Sequence, residues 1–145
     1  LKRLYLRWNL IKKIENLETL TTLEELELYD NQITKIEGLE TLVDLTYLDI
    51  SFNRLPRIEN LDNLVNLQKL FLISNRISKI ENLSALSNLT MLELGDNKIR
   101  VSDLLNFIRS FEINSHFLLS IGNQKPRKLN EPNSSVFGKE QDHKD

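Results

Sequence analysis

Five asparagines recur along the first two thirds of the chain at a constant interval of 22 residues. They are Asn9, Asn31, Asn53, Asn75 and Asn97. Each closes a stretch of the form LxxLxLxxN, whose fourth and sixth places hold Leu or Ile. A repeat of this length predicts a solenoid, because a single unit cannot bury its apolar residues alone and must stack on its neighbours.

The internal pattern of each 22-residue unit predicts its secondary structure. The units begin at Leu1, Leu23, Leu45, Leu67 and Leu89. The LxL alternation predicts a short strand with one buried face. In the first four units isoleucine at the fourteenth place is followed by Glu and then by Asn or Gly, which favours a turn. The remaining residues leave room only for 3₁₀ or short helical turns. The sequence thus predicts an α/β solenoid with parallel strands on its concave face and such turns on its convex face.

Composition excludes several classes of function. The net charge is −2 and the pI is about 5.8, so there is no basic excess for nucleic acid or an anionic membrane. The absence of cysteine excludes disulfides and cysteine metal sites, and it favours the cytosol or nucleus. The only histidines, His116 and His143, lie outside the repeats and have no metal-ligand spacing. We therefore expect a monomer that is not an enzyme and binds no cofactor or metal.

Aromatic and acidic residues concentrate at the places that strand geometry directs to the concave face, which are the third, fifth, seventh and eighth. Phe52 is expected to pack beside its asparagine turn. The predicted partner-binding residues are Tyr5, Trp8, Glu27, Tyr29, Tyr47, Asp49, Phe71 and Glu93. Outward aromatics serve no purpose in a repeat core, and aromatic anchors among charges are typical of protein-binding surfaces. The alternative is a solvated face with incidental aromatics.

Over residues 1 to about 100 the register resembles the leucine-rich repeat family, in its short 22-residue class. The segments LELYDNQI, LDISFN, ISKIENLS and MLELG are further similar to leucine-rich-repeat regulatory subunits of protein phosphatase 1. In those subunits an Asp, a Phe and a Glu at the fifth place of three consecutive repeats contact the catalytic subunit. The matching residues here are Asp49, Phe71 and Glu93. The resemblance implies a scaffold that docks the phosphatase 1 catalytic subunit in the nucleus and cytoplasm.

Two other functions stay open. The chain begins at Leu1, inside a repeat, and has fewer repeats than those regulatory subunits, so we expect a fragment or truncated isoform. One alternative is another leucine-rich-repeat adaptor, of the axonemal dynein or splicing-associated type, that uses the same face. The other is a truncated product with weakened binding, since the later contacts of the family are missing.

The repeat register changes after Arg100. Ser102 followed by DLLNFIRSF predicts a helix with Ser102 as its N-cap. Its apolar side comprises Leu104, Leu105, Phe107, Ile108 and Phe111. We therefore expect repeats over 1–110, a helical C-terminal cap over 101–121 and a disordered tail over 122–145. Residues 101–145 are either a compact cap or a non-homologous tail from a splice variant such as a retained intron.

Overall fold

The computed structural model describes residues 1–110, 116–122 and, as backbone alone, 127–128. Its single sheet has the strands β1 (Arg3–Tyr5), β2 (Glu25–Glu27), β3 (Tyr47–Asp49), β4 (Lys69–Phe71), β5 (Met91–Glu93), β6 (Leu118–Ser120) and β7 (Arg127–Lys128). The described helix is α1 (Val101–Ser110). Strands β1 to β6 pair in parallel and in chain order, and β7 is antiparallel to β6. This topology confirms the predicted parallel-strand solenoid.

The strand register stacks each place of one unit on the same place of the next. Leu26 pairs with Leu48 and Leu70 with Leu92, and all four side chains are completely buried. The flanking third and fifth places stay partly or fully exposed. Because every second residue of a strand points to the same side, this alternation separates a leucine core from a continuous face that is open to solvent.

The convex side of the first four units consists of turns rather than helices. These turns are closed by backbone hydrogen bonds between residues three apart. For example, Leu20 N–H donates to the Leu17 carbonyl at 2.9 Å, and Leu42 N–H donates to the Leu39 carbonyl at 3.0 Å. Residues 1–100, all of them described, contain no helix. Too few residues separate the buried leucines of this side for more than single turns.

The repeated asparagine joins adjacent units. The Asn53 amide donates to the Leu28 carbonyl of the preceding unit at 2.9 Å and to the Ile50 carbonyl of its own unit at 3.1 Å. Its Oδ1 accepts from Ile33 N–H at 2.9 Å. Asn31, Asn75 and Asn97 make the same set of bonds. These side chains therefore satisfy backbone groups that the turns leave unpaired.

Two places in the unit adopt the left-handed backbone conformation. The sixteenth place does so at Asn16, Gly38, Asn60 and Asn82, with φ between 58° and 72°. This finding agrees with the turn predicted from Asn or Gly there. At Gly38 a Cβ would lie 2.7 Å from the Ile14 carbonyl oxygen, which explains the glycine. The eighth place is also left-handed, at Trp8, Asp30, Phe52, Ser74 and Asp96, so the chain leaves every strand in the same way.

The fifth unit is longer and is followed by another turn of the solenoid. Leu119 in β6 pairs with Leu92, 27 residues earlier, instead of the usual 22. The longer connection includes α1, which buries Leu104 and Phe107. Phe117 is completely buried, and its ring centroid lies 6.4 Å from that of Phe107. The segment expected to be a helical cap thus contains a helix and a strand that extends the sheet.

The boundaries of this segment differ in detail from the sequence-based expectation. Helix α1 begins at Val101, one residue before the predicted N-cap Ser102, and Leu104 N–H donates to the Arg100 carbonyl at 3.1 Å. Phe111, predicted on the apolar side, lies outside the described residues. Of the predicted tail 122–145, the structure describes Gly122 and the β7 pair alone. In the described part of the chain, no helix has the length and apolar character needed to cross a membrane.

Candidate protein-binding face

All eight predicted partner-binding residues lie on one face of the sheet, which we call the concave face. The fifth places form one row across neighbouring strands, in the order Tyr5, Glu27, Asp49, Phe71, Glu93. Tyr47 belongs to the adjacent third-place row, while Tyr29 and Trp8 follow at the seventh and eighth places. Strands stack about 4.8 Å apart, so consecutive members of a row are direct neighbours.

Two groups of aromatic rings lie on this face. The ring of Tyr29 lies between those of Trp8, at 6.5 Å and nearly perpendicular, and Phe52, at 5.0 Å between centroids. Tyr47 and Phe71 form the second group, with centroids 5.1 Å apart. Phe52 was expected to pack at its turn, yet it is 43% exposed. Phe52 occupies the eighth place of its unit, as Trp8 does, and this place could have indicated that the ring is exposed.

Basic and acidic groups at the N-terminal end of the face neutralise one another. Arg7 Nε lies 2.9 Å from a Glu27 carboxylate oxygen, and its guanidinium carbon lies 5.5 Å from the ring centroids of both Tyr5 and Trp8. Next to it, Tyr5 OH donates to Glu25 at 2.8 Å. Tyr5 and Glu27, both predicted to contact a partner, are therefore already engaged within the chain.

Asp49 and Glu93 are different, because neither forms an ion pair with any residue that the structure describes. Asp49 accepts a hydrogen bond from Ser51 N–H at 2.8 Å. Burial raises the pKa of the half-buried Asp49 carboxyl, and burial followed by the charge of Asp49 raises the pKa of Glu93. The charge of Arg7 lowers the pKa of Asp49, but by less than burial raises it. Both carboxylates would therefore gain from a positive partner supplied by another molecule.

A shallow cavity of about 320 Å³ opens between the two aromatic groups. Its lining consists of Arg7, Trp8, Glu27, Tyr29, Tyr47 and Asp49. Cavities of this kind, with aromatic walls and a few polar groups, are typical of sites for a single side chain or small ligand. Among the described residues, no group of three or more His, Asp or Glu side chains converges as a metal site would require.

Tyr47 provides a spectroscopic test of this environment. Burial, together with the charges of Asp49 and Glu27, raises the pKa of its phenol to about 12. An unperturbed tyrosine titrates near pH ~10. We expect the difference in phenolate absorbance between the native protein and a Tyr47→Phe variant to have its midpoint at about 12.

The same pKa difference makes a prediction for stability. The folded-state pKa of Tyr47 exceeds the unfolded one, so this phenol contributes stability that is complete below pH ~10 and is lost as the pH rises towards about 12. The native protein should therefore lose more stability over this interval than Tyr47→Phe does, measured by denaturant unfolding at each pH. A difference titration centred near pH ~10 would contradict this description of Tyr47.

Comparison with known proteins shows what the chain is similar to. The family model described as leucine-rich repeats in two copies matches residues 1–41 and 21–65. No curated protein matches the chain. Among solved structures, internalin C2 of Listeria monocytogenes is 36% identical with a TM-score of 0.70, and the match covers 83% of this chain and 51% of that one.

Two further structures show the same architecture. Internalin F of Listeria monocytogenes is 27% identical with a TM-score of 0.68, over 83% of this chain and 34% of that one. A leucine-rich repeat protein of Leptospira interrogans is 28% identical with a TM-score of 0.66, over 73% of this chain and 28% of that one. The chain thus spans about half or less of each of these proteins. Its 22-residue register, its parallel sheet and these similarities show that the chain has the leucine-rich-repeat fold, and residues 1–65 match the family model itself.

Proposed function

We propose that the chain is a protein-binding scaffold that docks the catalytic subunit of protein phosphatase 1 on its concave face. Leucine-rich repeats generally serve as protein-interaction scaffolds. The aromatic rings exposed on the concave face are the side chains that most often dominate the binding energy of such interfaces. The scaffold role follows from the family, whereas the identity of the partner rests on the resemblance described above.

One observation carries the choice of partner. Asp49, Phe71 and Glu93 occupy the fifth place of three consecutive units and are register neighbours in one row. In the phosphatase regulatory subunits that the sequence resembles, known as regulatory subunit 7, the same residue types at these places contact the catalytic subunit. The resemblance further implies that a monomer of this chain acts in the nucleus and cytoplasm.

The chemistry of the row supports a simple docking mechanism. The half-buried Phe71, backed by Tyr47, is the apolar anchor that enters a pocket of the partner. The carboxylates on either side of it, Asp49 and Glu93, form no ion pair with a described residue and pair instead with basic groups of the partner. Each new ion pair is then formed beside an apolar contact that excludes water, which strengthens charge-assisted hydrogen bonds.

The test is a binding measurement between this chain and the purified phosphatase 1 catalytic subunit. Phe71→Ala is expected to weaken binding about 30-fold or more, because truncating a central aromatic anchor typically removes ~2 kcal/mol or more. Phe52→Ala is the matched control, since it removes an exposed ring outside the row, and its affinity should change less than about threefold. Thermal melting of both variants establishes that they are folded.

The outcomes separate the partner from the site. Absence of binding by the unmutated chain would exclude the phosphatase as partner and leave the family assignment unaffected. Binding that Phe71→Ala and Phe52→Ala weaken equally would instead show that the row is not the docking site.

A second candidate function is another leucine-rich-repeat adaptor, of the axonemal dynein or splicing-associated type. The observation in its favour is the Trp8–Tyr29–Phe52 group, which is outside the row and has no role in the phosphatase proposal.

A third candidate is a truncated product that binds the phosphatase weakly, because the row offers three of the contacts of a longer family member. A measurable but weak affinity that still depends on Phe71 would distinguish this reading from the adaptor.

A further inference from the structure

We propose that the cavity lined by Trp8, Tyr29, Tyr47, Glu27 and Asp49 is a pocket for a single arginine side chain of a partner protein. It is distinct from the anchor Phe71, which does not line it. The inference rests on the proposed use of the concave face for protein binding, but not on the identity of the partner.

The charges around the cavity favour a cation. Its lining has two carboxylates, Glu27 and Asp49, against one cation, Arg7. Arg7 is already paired with Glu27 at 2.9 Å. Asp49 is half-buried and has no ion pair with a described residue, and Arg7 offsets its charge only in part, so the cavity keeps an excess of negative charge. A cation bound beside Asp49 would balance it.

The walls of the cavity favour a planar cation. Three of its lining residues are aromatic, and ring faces attract a cation through their quadrupole. The guanidinium of Arg7 already shows this geometry at the same site, lying 5.5 Å from the Trp8 and Tyr5 ring centroids while its Nε pairs with Glu27. A second guanidinium in the cavity would meet groups of the same kinds in its lining, the rings of Tyr29 and Tyr47 and the carboxylate of Asp49.

Arginine suits this lining better than lysine. A guanidinium is planar, stacks on aromatic rings and can bind a carboxylate through two parallel hydrogen bonds, and it is more weakly hydrated than an ammonium group. Lysine brings a compact, strongly hydrated charge that gains less from flat aromatic walls. Burial raises the pKa of Asp49, which agrees with a carboxylate whose charge Ser51 and Arg7 compensate only in part.

The single tryptophan of the chain makes the pocket directly observable. Trp8 is the only tryptophan in the sequence and it lines the cavity, so tryptophan emission reports on this site alone. The probe is the capped tripeptide Gly-Arg-Gly, titrated into the intact chain without any phosphatase. The controls are the same tripeptide with citrulline, which is neutral and nearly isosteric, and with lysine. The Asp49→Asn variant keeps an oxygen for Ser51 N–H, and Asp62→Asn, on the convex side, is its matched control.

We expect a saturable change in Trp8 emission with the arginine peptide at millimolar concentration, as is usual for a single side chain. Asp49→Asn should weaken this binding about tenfold and Asp62→Asn should leave it unchanged. The citrulline peptide should not bind, and the lysine peptide should bind several-fold more weakly. No saturable response, an equal response to citrulline, equal binding of lysine, or insensitivity to Asp49→Asn would each overturn the proposal. None of these results depends on whether the phosphatase binds.

Discussion

Replacing Asn53 by alanine is expected to lower the free energy of unfolding by about 3 kcal/mol. The side chain is buried and connects the second and third units, accepting from Ile33 N–H and donating to the Leu28 and Ile50 carbonyls. Alanine would leave these buried backbone groups without partners, and each such group typically costs ~1–3 kcal/mol. Urea denaturation followed by circular dichroism measures the loss.

Asn9→Ala is the matched control for Asn53→Ala. Asn9 has the same place in the first unit, but it is exposed and donates only to the carbonyls of Leu6 and Arg7 in its own unit. With no described unit before it, its loss should cost less than about 0.5 kcal/mol, as for an ordinary surface change. Equal effects of the two substitutions would mean that the bonds between units contribute nothing beyond the local turn.

Replacing Phe117 by alanine is expected to destabilise the protein by about 4 kcal/mol, the range found for large buried aromatics. Phe117 is completely buried and packs near Phe107 of α1, at the point where the sheet gains β6. The substitution would open a cavity between α1 and the start of β6. Thermal and urea unfolding of the whole chain provide the measurement.

Phe52→Ala is the control for this second prediction, because it is the same substitution at an exposed position. It should cost less than about 1 kcal/mol. A large difference between the two variants would establish the segment 101–122 as an integral part of the solenoid. A loss below about 1 kcal/mol for Phe117→Ala would instead support the reading of this segment as a tail that contributes little to folding.

Much of the candidate site could be predicted from the register, because stacking in parallel turns a sequence position into a position in space. Asp49, Phe71 and Glu93 share the fifth place, and the sheet duly makes them neighbours. The pairing of charges could not be predicted in this way. That Arg7 engages Glu27 while Asp49 has no ion pair among the described residues depends on side-chain directions, which the period leaves open.

The sixth strand lies outside the 22-residue period. His116 stands at the first place of this turn, where the other units have Leu, and Leu119 follows Leu92 by 27 residues. The 22-residue period therefore predicts no further unit. In the structure α1 accommodates the longer connection, because each helical residue adds only a short rise along the helix axis. The chain therefore still returns to the edge of β5.

By itself, the sequence determined the repeat, the buried leucine columns, the parallel strands and the face that carries the aromatic and acidic residues. These follow from period and alternation, which are local properties of the chain. Tertiary structure alone decided that the sheet continues through β6, that Asn53 and its counterparts join successive units, and that a cavity opens beside Asp49. These features depend on contacts between residues 20 or more positions apart, and their geometry exists only once the units have stacked.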